Sequence, residues 1–209
     1  MQRIVLIGYS GHAFVIADTV KMLGGEIVGY CDKVEAKCNP FNLVYLGDEQ
    51  EATTLSKLAA LEASFIVSIG NNSARRNLTK HLTEQGMHSI SVIHPTASVS
   101  KLSTVGNGSF ISGGAIVNPM ASIGMGAIIN TSAVVEHECL VGDYAHIAPG
   151  AVLAGNVSVG EGSFIGANAV VKQGTSIGKN VIIGAGAVVV KDVPDNLILV
   201  GNPAVELKK

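Results

Sequence analysis

The sequence has few charges, few cysteines and no apolar run long enough to cross a membrane. Charged residues make up 14% of its 209 residues, and the formal net charge is −2. Its basic residues form no group larger than adjacent pairs such as Arg75 and Arg76, which argues against nucleic acid as a main partner. Its apolar stretches are shorter than the roughly 18 residues of a membrane helix and are broken by glycine, so no membrane span is expected.

The cysteines and the first residues indicate a reducing compartment. Cys31, Cys38 and Cys139 are too few and too widely spaced for a disulfide framework or a zinc knuckle. The opening stretch MQRIVLIGYS lacks the basic, apolar and small-residue order of a signal peptide, and it predicts a first β-strand instead. These features together predict a cytoplasmic protein with reduced thiols.

Charge and pattern divide the chain near residue 92. Residues 1–91 hold 8 Lys/Arg and 9 Asp/Glu, whereas the longer segment 92–209 holds 6 and 7. The first segment alternates short aliphatic runs with helical patterns, which predicts an α/β domain with a small parallel sheet. The expected strands are 3–7, 26–31, 65–69 and 89–93, and the expected helices are 13–22, 48–61 and 74–84, the last one capped by Ser73.

The turn Gly8-Tyr9-Ser10-Gly11-His12 follows the first predicted strand and opens the first predicted helix. Such a turn offers backbone N–H groups and a helix dipole to a phosphate, and ligands of parallel sheets bind at this edge. The turn lacks two glycines of the G-x-G-x-x-G dinucleotide pattern, which argues against an NAD site. A tight turn without a ligand is the alternative interpretation.

The second segment repeats every six residues. Ile, Val or Leu occupies all seventeen positions of this period from Ile93 to Val189, without an insertion. The residue four positions further on is almost always small, and glycine often follows the aliphatic residue. Neither an α-helix nor a plain strand has this period, whereas a solenoid with straight sides and tight corners does. The aliphatic residues are therefore expected to stack inside such a solenoid.

The stretch Glu136-His137-Glu138 places three ionisable residues where charge is otherwise scarce. In this hexad Val135 and Cys139 take the inward positions, so His137 and Glu138 are expected at a surface corner. A solvated charge cluster is the alternative interpretation. A histidine beside a carboxylate is, however, what a general base requires, because the carboxylate fixes the tautomer and favours the protonated imidazole.

Two other chemistries for this region fit the residues less well. A nucleophilic Cys139 would need exposure and an electropositive setting, but its register points it into the core. A catalytic zinc needs three close histidines, whereas His137 and His146 are nine positions apart and His94 is more than two coils away. No metal site is expected.

The chain resembles a known family in several motifs. Its repeat is similar to the hexapeptide pattern of left-handed parallel β-helix acyltransferases, and its closing stretch DVPDNLILVGNPA resembles their tails. The motifs GYSGH, SIGNN, IHPTA, NTSAVVEHEC and HIAPG resemble the sugar acetyltransferases that include sialic-acid O-acetyltransferases and UDP-4-amino-sugar (bacillosamine) N-acetyltransferases. The resemblance covers the whole chain. It implies a Rossmann-like nucleotide-sugar-binding domain at 1–91 and a left-handed β-helix acyltransferase domain at 92–209.

The resemblance also implies roles for individual residues. His137 would be the general base, tuned by Glu138, and Asn130 would lie near the reacting amine. Acetyl-CoA, the implied co-substrate, would contact His146, Gly166, Ala167, Gly184 and Ala185. The nucleotide sugar would contact Ser10, Gly11, His12, Cys31, Asp32 and Gly70, although Cys31 stands where the UDP-sugar enzymes tend to carry a second acidic residue.

The implied function is an acetyl-CoA-dependent N-acetyltransferase acting on the 4-amino group of a nucleotide-linked sugar, with UDP favoured. O-acetylation of sialic acid or a related sugar and a non-catalytic solenoid scaffold are the alternatives. The resemblance implies a homotrimer with active sites between subunits, in which His137 of one chain faces His146 or the corner at Gly166 and Ala167 of the next. The unranked candidates for the 3′-phosphate of CoA are Lys172, Lys179 and Lys191.

Overall fold

The computed structural model describes residues 3–207, which form an N-terminal α/β unit and a long left-handed β-helix. Both parts of the predicted fold class are therefore confirmed. The elements of the α/β unit are β1 (Arg3–Ile7), α1 (Gly11–Met22), β2 (Glu26–Cys31), β3 (Tyr45–Gly47), α2 (Ala52–Ala60), β4 (Ser64–Val67) and α3 (Asn72–Glu84). The four strands form one parallel sheet in the order β3-β2-β1-β4.

The central strand β1 is buried on both sides, which explains its uninterrupted aliphatic sequence. Ile4 and Leu6 pack in one cluster with residues of α1. Val5 and Ile7 pack in a second cluster with Leu58 of α2 and with residues of α3. The helices thus cover both faces of the sheet and leave its carboxyl edge open.

The α/β unit departs from the sequence prediction in three places. The short strand β3 was not predicted. The predicted strand at 89–93 is split, because Ser89 forms only an isolated bridge with Phe65, and Val92 begins the β-helix. Asn71, not Ser73, caps α3, since its side-chain oxygen accepts a hydrogen bond from the N–H of Ala74 at 2.9 Å.

The β-helix contains seventeen two-residue strands followed by two closing strands. Each of the first fourteen short strands pairs in parallel with the strand three hexads further on, as Ile123 does with Val141. The strands are β5 (Val92–Ile93), β6 (Ser98–Val99), β7 (Thr104–Val105), β8 (Phe110–Ile111), β9 (Ile116–Val117), β10 (Ser122–Ile123), β11 (Ile128–Ile129), β12 (Val134–Val135), β13 (Leu140–Val141), β14 (His146–Ile147), β15 (Val152–Leu153), β16 (Ser158–Val159), β17 (Phe164–Ile165), β18 (Val170–Val171), β19 (Ser176–Ile177), β20 (Ile182–Ile183), β21 (Val188–Val189), β22 (Ile198–Val200) and β23 (Val205–Glu206).

Three sheets form the sides of the β-helix. The junction face consists of β5, β8, β11, β14, β17, β20, β22 and β23. The valine face consists of β6, β9, β12, β15, β18 and β21, and the serine face consists of β7, β10, β13, β16 and β19. The second residue of each two-residue strand carries the six-residue repeat and points inward; from Ile111 to Val189 these side chains are at most 3% exposed.

The α/β unit packs on the junction face. Val92, Phe110 and Ile128, which point outward from that face, share one apolar cluster with β1 and α1. The side-chain amide of Asn72, at the start of α3, donates to the carbonyl of Gly162 at 2.9 Å. These contacts bring the carboxyl edge of the parallel sheet close to β14 and β17.

Candidate active site

His137 and Glu138 lie at the corner between the valine face and the serine face, here called the His137 corner. The imidazole Nδ1 is 3.1 Å from Glu138 Oε2, and the two side chains are 51% and 62% exposed. Because a carboxylate engages Nδ1, that atom carries the hydrogen and Nε2 keeps its lone pair. The corner therefore presents a basic nitrogen to the surroundings of the β-helix.

The imidazole of His137 packs against Gly155, the equivalent corner residue one coil further along. A Cβ atom at Gly155 would lie only 2.6 Å from both Cε1 and Nε2 of the ring. Only glycine leaves room for the ring in this position, so the neighbouring coil helps to set the orientation of His137.

Asn130 and His146 form a second polar group, at the edge of the junction face. The Asn130 Nδ2 donates to His146 Nε2 at 3.0 Å, and the His146 Nδ1 donates to the carbonyl of Gly70 at 3.4 Å. With its hydrogen on Nδ1, the His146 ring forms hydrogen bonds within the chain through both of its nitrogens. The His12 ring lies nearby, 6.5 Å from the His146 ring between centroids.

His146 and the nearby His12 are both neutral at physiological pH. Burial, assisted by the charge of Arg75, lowers the pKa of His12 to about 4 and that of His146 to about 3. The Nε2 of His12 is buried without a hydrogen-bond partner. A neutral imidazole can either donate or accept, so these rings are suited to orienting hydroxyl or amide groups rather than to pairing with an anion.

The turn between β1 and α1 approaches the same region. Gly8 has a φ of +88°, and a Cβ there would collide with the side chain of Ile69. The carboxylate of Asp32 accepts from the N–H of Tyr9 at 2.9 Å, which ties the turn to the end of β2. Ser10 makes no side-chain cap to α1, so the first N–H groups of this helix stay available for a phosphate.

Cys31 differs from the other residues predicted to contact the sugar. Its side chain is fully buried among the core residues of the sheet. Burial and nearby carboxylates raise the pKa of the thiol to about 12. The Cys31 side chain has no exposed surface, so a contact between Cys31 and the sugar is left to its backbone.

A cleft of about 400 Å³ opens between the start of α3 and the junction face. Gly70, which accepts from His146, forms one of its walls. Phe164, opposite, packs edge-on against the His146 ring at 5.0 Å between centroids. The cleft is therefore continuous with the second polar group, and its other lining residues include Asn72, Ser73, Gly162 and Ile182.

The glycine and alanine pairs predicted to contact acetyl-CoA lie at the corner between the junction face and the valine face, here called the Asn130 corner. Gly166 lies two coils beyond Asn130, and Gly184 lies one coil further. A Cβ at Gly166 would lie 2.5 Å from the backbone nitrogen of Ala185, so the coils are in close contact here. Ala167 is half-buried and Ala185 is exposed.

Comparisons with known proteins agree with this architecture. A family model described as the PglD N-terminal domain matches residues 3–82, and one described as the hexapeptide repeat of succinyl-transferase matches residues 156–191. The acetyltransferase domain of PglB from Neisseria gonorrhoeae FA1090, solved in complex with acetyl coenzyme A, is 35% identical, with a TM-score of 0.92 and 99% of both chains covered. The chain belongs to the hexapeptide-repeat sugar acetyltransferases, a family of acyltransferase enzymes.

Two further relatives extend the comparison for this acetyltransferase. PerB from Caulobacter crescentus, solved in complex with CoA and GDP-perosamine, is 36% identical, with a TM-score of 0.93 over 100% of this chain and 98% of that one. The UDP-N-acetylbacillosamine N-acetyltransferase of Bacillus subtilis (strain 168) is 35% identical over 112 residues. That match spans 53% of this chain and about half, 51%, of the length of the curated relative.

The predicted site residues of this acetyltransferase fall into two separate groups within one chain. His137 and Glu138 occupy one corner of the β-helix. Asn130 and His146 lie across the valine face from them, next to Gly70 of the α/β unit. One chain therefore does not bring Asn130 into contact with His137.

Other chemistries find little support in the structure of the acetyltransferase. Cys139 is fully buried, and burial raises the pKa of its thiol, which is unfavourable for a nucleophile. Within residues 3–207, no group of three or more His, Cys, Asp or Glu side chains is arranged to hold a metal ion. No helix in this described range is long and apolar enough to span a membrane.

Three residues that shape the site were not predicted from the sequence: Gly155, Arg75 and Phe164. Gly155 could have been found, because stacking the hexads three at a time aligns it with His137. Phe164 could have been found in the same way, since it follows His146 by one coil on the junction face. Arg75 carries no distinguishing signal in the sequence, and only the docking of the two units reveals its position.

Proposed function

We propose that this chain is an acetyl-CoA-dependent N-acetyltransferase that acetylates the 4-amino group of a nucleotide-linked amino sugar, with UDP as the favoured nucleotide. The observation that carries the proposal is the exposed His137, whose Nδ1 is engaged by Glu138 and whose Nε2 is free. Relatives named for UDP-N-acetylbacillosamine and solved with GDP-perosamine support an amino-sugar acceptor. The free cysteines of the described chain suit a reducing compartment, so we propose a cytoplasmic location.

In the proposed reaction, the sugar amine attacks the carbonyl carbon of the acetyl-CoA thioester. A C–N bond forms as His137 Nε2 takes a proton from the amine, and Glu138 stabilises the resulting imidazolium. Backbone N–H groups at the glycine corners are suited to holding the oxyanion. The C–S bond then breaks, and the imidazolium returns its proton to the departing CoA thiolate.

We assign the nucleotide sugar to the open edge of the parallel sheet and the adjoining cleft. The free N–H groups of α1 at Ser10 and Gly11 are suited to its phosphates, and Asp32 to its ribose or base. His12, with its unpartnered Nε2, and Gly70 are suited to the sugar. Binding energy from the remote nucleotide would then position the amine for reaction.

We infer that the complete site needs two copies of the chain. The valine face has the His137 corner along one edge and the Asn130 corner along the other. In a closed ring built from one repeated contact, one edge of a surface meets the opposite edge of the neighbouring copy. A homotrimer packed on this face would bring His137 of one subunit to Asn130, His146 and the Gly166–Ala167 corner of the next, where acetyl-CoA would bind.

The acetyl-CoA site extends from this corner towards basic residues that could meet its 3′-phosphate. Lys172, Lys179 and Lys191 are all exposed at corners of the later coils. Lys172 and Lys191 lie on the same corner as His137, further along the β-helix. Replacing each of the three lysines with glutamate and measuring the KM for acetyl-CoA would rank their contributions.

The role of His137 is tested by replacing it with glutamine. Loss of the base predicts a fall in kcat of at least about a hundredfold with the melting temperature unchanged. Release of the CoA thiol measures turnover, and His88→Gln, at an exposed position of the α/β unit, is the matched control. A His137→Gln variant that retained full activity would contradict the assignment.

The acceptor is tested by comparing kcat/KM for UDP-linked and GDP-linked 4-amino sugars with that for free sialic acid. The proposal predicts the largest value for a UDP-linked amino sugar and formation of an amide product. Turnover of sialic acid alone would favour O-acetylation. Absence of turnover with every acceptor would favour a non-catalytic scaffold.

A further inference from the structure

Arg75 is a buried cation at the contact between the two units of the chain. Its side chain is only 1% exposed, and all five of its N–H hydrogens meet oxygen acceptors. The Nε donates to Gly126 O at 2.7 Å, Nη1 donates to Ile69 O at 3.0 Å and Gly70 O at 3.2 Å, and Nη2 donates to Asn72 Oδ1 and Tyr144 O, both at 2.9 Å.

None of these five acceptors is a carboxylate. The titratable groups that face the guanidinium are His12 from α1 and Tyr144 and His146 from the β-helix, and none of them is an anion at neutral pH. The carboxylates of Asp143 and Glu161 add to the burial that raises the pKa of Tyr144, and neither is a hydrogen-bond partner of Arg75. Burying a charge without a counter-ion is costly, so retaining Arg75 here requires a compensating role.

The partners of Arg75 connect it to the cleft. The carbonyl of Gly70, which Arg75 holds, also accepts from His146 Nδ1. Asn72, held through its side-chain oxygen, uses its Nδ2 to donate to Gly162 and Ser163 of the junction face. A single side chain therefore fixes the loop after β4 relative to two successive coils of the β-helix.

We propose that Arg75 is a positioning residue of the acetyl-transfer site. Arg75 holds the Gly70 loop against His146 and keeps an uncompensated positive charge beside His12 and His146. The inference rests on the proposed function and deepens it. Because every donor of Arg75 is already used within the chain, Arg75 does not itself bind substrate. Its charge adds to the burial that keeps both rings neutral, so that His146 orients Asn130 and the unpartnered Nε2 of His12 remains a hydrogen-bonding group for the sugar.

Two substitutions separate the charge of Arg75 from its geometry. Arg75→Lys keeps the charge but cannot span five acceptors, and it should lower kcat/KM for the amino sugar by at least about tenfold through misplacement of the loop. Arg75→Met also removes the charge, so the pKa values of His12 and His146 should rise. Lys80→Gln removes an exposed charge from the same helix and is the control.

Histidine-selective NMR titration of the ligand-free protein provides a readout that needs no substrate. Unshifted titrations of His12 and His146 in a folded Arg75→Met variant, or unchanged kcat/KM in a folded Arg75→Lys variant, would overturn the proposal. Should Arg75→Met fail to fold, the folded Arg75→Lys variant decides, because a fall in kcat/KM that Lys80→Gln does not share supports the positioning role and an unchanged value overturns it. Failure of the wild-type protein to acetylate any amine would reject the proposed function while leaving this titration valid.

Discussion

At the residue scale, the backbone of the corners distinguishes Glu138 from its counterparts in other coils. The third residue after most strands of the β-helix lies in the left-handed region, which favours glycine and tolerates asparagine. Glycine or asparagine fills most of these positions, but Met120, Ser132, Glu138 and Tyr144 are exceptions. Glu138, with a φ of 62°, therefore carries a strain of roughly 1 kcal/mol that glycine would not. Its contact with His137 is a physical reason for keeping a carboxylate there.

Gly155 provides a test of how closely the ring of His137 must be held. An alanine at this position would put its Cβ at the ring atoms Cε1 and Nε2. Because the end of a side chain can move aside, Gly155→Ala should change stability by less than about 1 kcal/mol but displace Nε2 of His137, the proposed base. We expect kcat to fall by at least about tenfold. Steady-state kinetics and thermal melting measure the two effects.

A double variant separates a displaced ring from other effects of the alanine. If Gly155→Ala acts only through His137, adding it to His137→Gln should cost no further activity. A further loss in the double variant would show that the alanine harms the site by another route.

At the scale of elements, the contact between α1 and β14 makes stability depend on pH. Burial lowers the pKa of His12 to about 4 and that of His146 to about 3, whereas unfolded histidine titrates near 6.5. Between these values the unfolded chain binds more protons than the folded one, so the free energy of unfolding rises with pH. Stability is therefore fully present above about pH 6.5 and is lost progressively on acidification towards pH 4.

We expect thermal melts between pH 7 and pH 4 to show this loss, on the order of 1 kcal/mol or more for each histidine. His146→Gln, which keeps hydrogen-bonding capacity without titrating, should make the pH dependence shallower. His88→Gln, at an exposed position, should leave it unchanged. If the wild type and both variants gave parallel curves of stability against pH, His146 would not be responsible for the pH dependence.

The same elements show what the sequence could predict. The β-helix could be predicted because every sixth residue is aliphatic and points inward. The strands β1 and β2 could be predicted from their runs of aliphatic residues. The split of the predicted strand 89–93 could not be predicted, because Ser89 pairs with Phe65 of the α/β unit whereas Val92 pairs with Phe110 of the β-helix. The position of Arg75 likewise depends on carbonyls 51 and 69 residues away, which no local pattern encodes.

At the scale of the whole molecule, the valine face and the serine face differ in their outward residues. The valine face presents Ser98, Ile116, Val134, Val152, Val170 and Val188, whereas the serine face presents Thr104, Ser122, Leu140, Ser158 and Ser176. Ile116 and Val170 are 36% and 39% exposed in the single chain. A contiguous row of β-branched apolar side chains on a flat sheet favours association, and the row lies between the two corners of the proposed shared site.

A charge in the middle of the valine face should therefore abolish assembly and activity together. Val152→Glu would bury a carboxylate at the proposed subunit contact, whereas Ser158→Glu puts the same charge on the serine face. Sedimentation should give a monomer without activity for the first variant and an active trimer for the second. An active Val152→Glu monomer would show that one chain carries a complete site.

Mixed assemblies test the shared site without disturbing the contact. His137→Gln and Asn130→Ala should each be inactive as pure proteins, because every site lacks one of the two residues. Co-refolded mixtures should regain activity, since a site between two different subunits takes His137 from the Asn130→Ala chain and Asn130 from the His137→Gln chain. No rescue is expected if His137 acts with Asn130 of its own chain, because each chain then carries a defective pair whatever its neighbour. The appearance of activity on mixing would thus assign the two corners of one site to two copies of the chain.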